Sequence, residues 1–158
     1  MEKPKGLDSP LVPHFIKVMS RTNVALYRLT GGRVGAKWRV GSGFRKPVPI
    51  ALVTHTGRKS GRQRTTPLLY LPDGDRLVVV ASQGGLPGNP QWYLNVRVNP
   101  GVTVQVGRVV RSMTARTATE AERDRLWPRL VDLYADFASY QSWTERIIPV
   151  VILEPRLS

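Results

Sequence analysis

At 158 residues, 41% of them hydrophobic, the chain is long enough to bury one real core and too apolar to stay disordered. It has no cysteine, which excludes disulfides and thiolate metal sites, and its two histidines, His14 and His55, have no carboxylate at ligand spacing. The formal net charge of +13 is unevenly placed: residues 1–64 hold 14 Lys/Arg against 2 Asp/Glu, and the rest of the chain is nearly balanced. Such a field suits nucleic acid, an anionic membrane surface or a polyanionic small molecule.

The first eight residues read as a loose leader, without a secretory apolar region. Ser9 and Pro10 are start signals for a helix running to about Leu29. On that helix Leu11, Phe15, Val18, Thr22, Ala25, Leu26 and Leu29 share one face, with Lys17, Arg21 and Arg28 on the other side. The pattern fits either a helix packed on the core or a basic helix lying on a membrane. Residues 30–47 are a glycine-rich basic linker containing Trp38 and Phe44. These features set off a basic N-terminal segment, 1–46, from a following domain, 47–158.

Val48–Thr54 reads as a buried strand, and Thr65–Leu71 as a second, with Pro67 marking an edge or a bulge. The run Pro72-Asp73-Gly74-Asp75 is a turn, after which Arg76–Ser82 completes a hairpin. Gln83-Gly84-Gly85 breaks that strand, and Asn89 is expected to cap a short helix beginning at Pro90. Strands over Val102–Val106 and Val109–Thr117 pair across Gly107. Thr119 and Glu122 form a capping-box pattern for a helix to about Tyr134. A short segment with Phe137, Tyr140 and Trp143 follows, then a last strand over Ile147–Leu153, interrupted by Pro149. Short loops between successive strands predict a mainly antiparallel sheet with flanking helices, an α+β fold, closed or half closed.

The chemically loaded stretch is Gly57-Arg58-Lys59-Ser60-Gly61-Arg62-Gln63-Arg64. Guanidinium forks match phosphate and carboxylate oxygens, and glycines let a backbone approach a ligand. The same residues also make an ordinary solvated turn between strands. No Gly directly precedes Lys59, so the run is not a Walker A loop. No Ser-His-Asp set and no G-x-S-x-G elbow is legible. His55 is either a proton donor beside the turn or polar filler at a strand end. A site rich in Arg, Tyr and Trp suits hydride transfer, where a cofactor carries the chemistry.

The segments TGRKSGRQRTTPLLYL, VASQGG, NPQWYLNVRVNP and YQSWTERIIPVVILEP together resemble the deazaflavin-dependent nitroreductase and F420H2-dependent quinone reductase family of actinobacteria. The resemblance covers about Pro47 to Pro155 and implies a split β-barrel of the flavin/F420-binding type. It implies that 47–158 is the cofactor-binding domain, with coenzyme F420 as cofactor and a quinone, menaquinone-like, or nitroaromatic acceptor. Arg58, Lys59, Ser60 and Arg64 would then take the phosphate and acidic tail. Thr65, Thr66, Pro67, Leu68 and Leu69 would line the deazaflavin, and Val80, Ala81, Ser82 and Gln83 would hold its other edge. Gln91, Trp92, Tyr93, Leu94 and Asn95 would close the pocket, and Tyr134, Phe137 and Tyr140 would wall the acceptor. Ser82, Tyr134 and Tyr140 are the proton-donor candidates. Two residues depart from the family pattern: Gln83 stands where a lysine is expected, and Phe137 where the nitroimidazole-activating member has tyrosine.

An F420 carrier without turnover and a basic nucleic-acid-binding domain are the competing readings. The aromatic residues lie toward the C-terminal part, away from the excess charge, which counts against nucleic acid. The expected location is cytoplasmic, with the basic segment touching the inner membrane face peripherally. The oligomeric state stays open.

Overall fold

The structure, a computed structural model, describes residues 11–38 and 46–156, without the side chains of residues 11–20 and Trp38. The helix cap at Ser9-Pro10, the side chains of Leu11, His14, Phe15, Lys17 and Val18, and Phe44 in the linker lie outside the described residues.

Eight strands form one antiparallel sheet: β1 (Lys37–Trp38), β2 (Val48–Thr56), β3 (Gln63–Leu69), β4 (Leu71–Asp73), β5 (Arg76–Val80), β6 (Gly101–Val106), β7 (Val109–Thr117) and β8 (Val150–Pro155). Their order is β1-β2-β6-β7-β8-β5-β4, and β3 pairs with the other edge of β2. The antiparallel sheet with flanking helices is as expected; hydrogen bonding among the described residues does not close it into a full barrel, which removes the closed alternative. Pro67 sits opposite Leu52 on β3, whose only strand partner among the described residues is β2. A residue with no N–H is tolerated there because an edge strand has a side that needs none.

Strand alternation sends side chains into separate cores. Val53, Val79, Val104, Met113, Val151 and Leu153 pack with Trp92, Tyr93 and Val96 of helix α2 (Gln91–Val98). Their sequence neighbours Val78, Val80, Val150 and Ile152 point the other way. There they meet Leu126 and Leu130 of α3 (Glu120–Leu133), together with Tyr134 and with Phe137 of α4 (Asp136–Ser142). The α3 start is the expected capping box: Glu122 N–H donates to Thr119 Oγ1 at 3.2 Å, and Thr119 N–H donates to Glu122 Oε1 at 3.0 Å.

The N-terminal helix α1 (Leu11–Thr30) docks by a face the periodicity did not single out. Val24 and Tyr27 are buried against Ile50 and Leu52, whereas Ala25, Leu26 and Leu29 of the predicted apolar stripe are exposed. The reason is polar as well as apolar. The Tyr27 hydroxyl donates to Ile50 O at 3.1 Å and accepts from Gly107 N–H at 2.7 Å. A fully buried phenol needs such partners, and leucines at positions 26 and 29 could not have supplied them.

The second helix also starts differently from expectation. Pro90 occupies the cap position of α2, and Asn89 accepts from Arg146 Nη1 at 2.9 Å instead.

Tyr27→Phe removes the hydroxyl that joins the helix to two sheet segments. Leaving buried partners unpaired costs about 1–3 kcal/mol, or about 3–10 °C in Tm at this chain length. Leu29→Ser, at a residue 84% exposed, should stay within about 0.5 kcal/mol. Thermal melts of the two variants check the docking face.

Candidate functional site

Strand β2 ends by entering the turn 57–62, whose backbone is closed on itself. Gly57 N–H donates to Arg62 O at 2.8 Å, and Gly61 N–H donates to Gly57 O at 2.9 Å. Ser60 Oγ accepts from Arg62 N–H at 3.2 Å, so this hydroxyl serves the turn. Gly61 has φ of +69°, which a side chain would strain.

Beside the turn lies a cleft of about 770 Å³. It is lined by Arg58, Lys59, Ser60, Arg64, Thr65, Thr66, Gln91, Trp92 and Asn95, all expected site residues. Arg21, Val24, Arg28 and His55 line it too and were not assigned to it. Arg21, Val24 and Arg28 recur at helical spacing on α1, so the signal was present; it pointed to a basic flank, not to what that flank covers. Arg28 Nη2 donates to Thr65 Oγ1 at 2.7 Å, closing one wall of the cleft.

The cleft is electropositive for a clear reason. None of Arg58, Lys59, Arg62 or Arg64 is ion-paired among the described residues. The carboxylates nearest in sequence are already engaged elsewhere. Asp73 is held by Arg129, Arg125 and Arg76, which lower its carboxyl to about 2. Arg58 is oriented by neutral groups: its backbone N–H and Nη1 donate to Asn95 Oδ1 at 3.1 and 2.9 Å, and Nη2 donates to Gln91 Oε1 at 3.0 Å.

His55 is 2% exposed and lies under this network. Its Nδ1 is 3.2 Å from Asn95 Nδ2 and its Nε2 is 3.0 Å from Thr66 Oγ1. Burial, reinforced by the positive charge of Arg64, lowers its pKa from 6.5 to about 4. At neutral pH the ring is therefore held in its neutral form, without the imidazolium proton of an ordinary histidine acid.

The remaining expected site residues stand elsewhere. Leu68 and Leu94 pack on the first core, and Leu69 touches the second and third. Ala81 and Val80 are buried in the first and second cores. Tyr93 points away from the cleft, with its hydroxyl 2.9 Å from Thr117 Oγ1. Pro67 stays in the β2–β3 ladder. A second group forms where the 3-10 turn Gln83–Gly85 meets α4. A Cβ on Gly85 (φ +78°) would come within 2.8 Å of the Tyr140 carbonyl, so only glycine permits this approach. Tyr134 and Tyr140 hydroxyls are 3.2 Å apart, and Phe137 packs edge-on to Tyr134 with centroids 5.0 Å apart. Burial raises the Tyr140 phenol, which therefore stays protonated.

Arg146 was not anticipated. Its guanidinium donates to Leu86 O, Ala81 O, Ser82 O and Asn89 Oδ1 at 2.8–3.2 Å, pinning the loop that carries Ser82 and Gln83. Among the described residues no carboxylate pairs with it.

An antiparallel sheet flanked by helices here carries a cleft lined by arginines and a buried tryptophan, an arrangement suited to an anionic ligand. Comparison with known proteins narrows the class. Residues 19–155 match the family model described as F420H(2)-dependent quinone reductase. The chain belongs to that family, whose cofactor is coenzyme F420. It is 40% identical over 141 residues to a Mycobacterium tuberculosis protein named F420H(2)-dependent quinone reductase, covering 86% of this chain and 89% of that one. A second protein of that organism, provisionally given the same enzyme name, is 55% identical over 118 residues, 75% of this chain and 99% of its own. Among solved structures, an F420-H2 dependent reductase superimposes with a TM-score of 0.63 at 45% identity, covering 67% of this chain and 94% of its own. Another, described as a domain-swapped dimer, gives 0.66 at 37% identity, covering 89% and 99%.

The cleft fits the cofactor chemically. Its cations meet no competing carboxylate, and Trp92 and Val24 provide apolar wall.

Protonating His55 must be coupled to unfolding, because its folded pKa lies below the unfolded one. The unfolded chain binds the proton more readily, so stability falls as pH drops from about 6.5 toward about 4 and is flat above that window. Asp73 and Glu122, both lowered to about 2, lose their contributions only below it. Thermal melts should show the acid-side decline in the parent chain and a reduced decline in His55→Gln.

Proposed function

We propose that this protein transfers hydride from reduced F420 to a quinone, with the cofactor in the cleft beside the turn 57–64. The supporting observation is the set of unpaired cations around that turn, facing a cleft walled by Trp92. When bound, reduced F420 supplies the hydride. Lys59 and Arg64 hold the phosphate and acidic tail, and Arg58 arrives pre-oriented by Asn95 and Gln91. Thr65 and Thr66 edge the deazaflavin along β3. Val80, Ala81 and Gln83 define the level of Ser82, whose carbonyl is fixed by Arg146. Tyr140, kept protonated by burial and hydrogen-bonded to Tyr134, is the proton source for the reduced acceptor, with Ser82 as the other candidate. We read the open sheet with its helices as a split β-barrel of the flavin/F420 type.

The acceptor is a long-chain, menaquinone-like quinone met at an anionic membrane. Leu26 and Leu29 are exposed on α1 in a stretch, residues 9–72, that contains no Asp or Glu. No helix among the described residues is long and apolar enough to cross a membrane, so the contact is peripheral. Nitroaromatics are weaker acceptors in this reading, because Phe137 is 4% exposed and brings no hydroxyl. Nucleic acid is disfavoured, because among the described residues the exposed large hydrophobic side chains include no aromatic ring for base stacking.

Titration of F420 against tryptophan fluorescence tests the site. Lys59→Ala and Arg64→Ala should each weaken binding about tenfold, the loss of a charge-assisted hydrogen bond worth about 1.5–3 kcal/mol when fully formed. Unchanged affinity in both variants would remove the turn from the site. Reduced F420 should be consumed with a soluble quinone, and a chain that binds F420 without turnover is a carrier. For the membrane contact, Leu29→Glu should weaken binding to anionic vesicles at low salt and leave soluble-quinone turnover unchanged.

A further inference from the structure

Hydrogen-bond polarity at the floor of the cleft runs in one direction and can be read step by step. Asn95 Oδ1 receives two N–H donors from Arg58, so the amide must present its Nδ2 to His55. An imidazole nitrogen that receives a proton donor carries no proton itself, so His55 Nδ1 is the acceptor. The neutral ring then has its proton on Nε2 and donates it to Thr66 Oγ1 at 3.0 Å. Thr66 Oγ1 accepts from His55 on one lone pair, and its own O–H has no acceptor among the described residues. Thr66 lines the cleft, half-buried.

We propose that His55, held by Asn95, is a positioning residue that fixes the Thr66 hydroxyl so that its unpartnered O–H is offered to the cleft, where it donates to a carbonyl oxygen of the bound ring. The inference rests on the cleft being the F420 site and adds the polarity of one contact within it. A deazaflavin offers both carbonyl oxygens and a ring N–H on its dione edge. An O–H without another acceptor favours a carbonyl oxygen at this point, which biases the ring's orientation and therefore which end faces the acceptor. The same relay connects the anion turn to β3 through Arg58, Asn95, His55 and Thr66, so tail and ring recognition share one support. The lowered pKa of His55 keeps the relay neutral across the physiological range.

Nitrogen-15 spectra of the histidine-labelled full chain provide the first test. The expected pattern is an unprotonated Nδ1 and a protonated Nε2 for His55, unchanged from pH 8 to pH 5. The opposite tautomer, or an imidazolium at neutral pH, overturns the proposal. On adding oxidised F420 the His55 Nε2–H signal should move downfield, because a hydroxyl that donates becomes a better acceptor. Inorganic phosphate, which reaches only the cations, should leave it in place. In parallel, Thr66→Val should weaken F420 binding at least tenfold, while Thr66→Ser keeps it within about threefold. If Lys59→Ala weakens F420 but Thr66→Val does not and the Nε2–H signal is static, the relay is wrong and the site stands. If Lys59→Ala and Arg64→Ala leave F420 affinity unchanged, the site reading falls and the relay falls with it.

Discussion

Strand β2 is the constraint from which the rest follows. It pairs with β3 on one edge and with β1 and β6 on the other, and most of its side chains are buried. A strand so held cannot shift register without moving apolar groups into water. Whatever is attached to its C-terminal end is therefore fixed in space. His55 and the turn beginning at Gly57 are attached there, and they inherit the rigidity of the sheet. The cationic turn, closed by its own backbone hydrogen bonds, is thereby carried on a strand paired along both edges, which holds the cleft in one shape.

Electrostatics reinforces that arrangement by division of labour. Residues 9–72 and 76–119 contain no acidic side chain, and three of the acids elsewhere, Asp73, Glu122 and Glu154, sit in networks with arginines of α3, β5 and β7. Arg116 alone joins Glu122 at 2.7 Å and Glu154 at 2.9 Å. The arginines of the C-terminal part therefore mostly stabilise structure, while those of the N-terminal part remain available to a ligand. Val24 and Tyr27 bind α1 to the core, and this puts Arg21 and Arg28 at the cleft rim. The N-terminal helix is thus part of both the fold and the site.

Much of this was readable from residues. Turn chemistry at Gly74, the capping box at Thr119 and Glu122, and β-branched runs such as Leu77–Val80 marked elements within a residue or two. The basic turn was legible because guanidinium and glycine are informative by type. The docking face of α1 was not legible, because the richest apolar stripe carried Leu26 and Leu29, whereas packing chose Tyr27 for its hydroxyl. The opposite facings of Trp92 and Tyr93 on α2 were equally hidden: adjacent helical residues diverge by about 100°, and only the tertiary partner decides which one a cleft sees. Arg146 had no local signature, since its acceptors lie about 60 residues away in loop backbone.

Cations left without carboxylate partners among the described residues around one cleft concentrate positive potential there. A polyanion approaching from solution is drawn toward that cleft before contact is made, so more of its encounters begin near the turn 57–64. The pull is screened by salt, so the advantage in encounter rate shrinks as ionic strength rises while the contacts formed after docking persist.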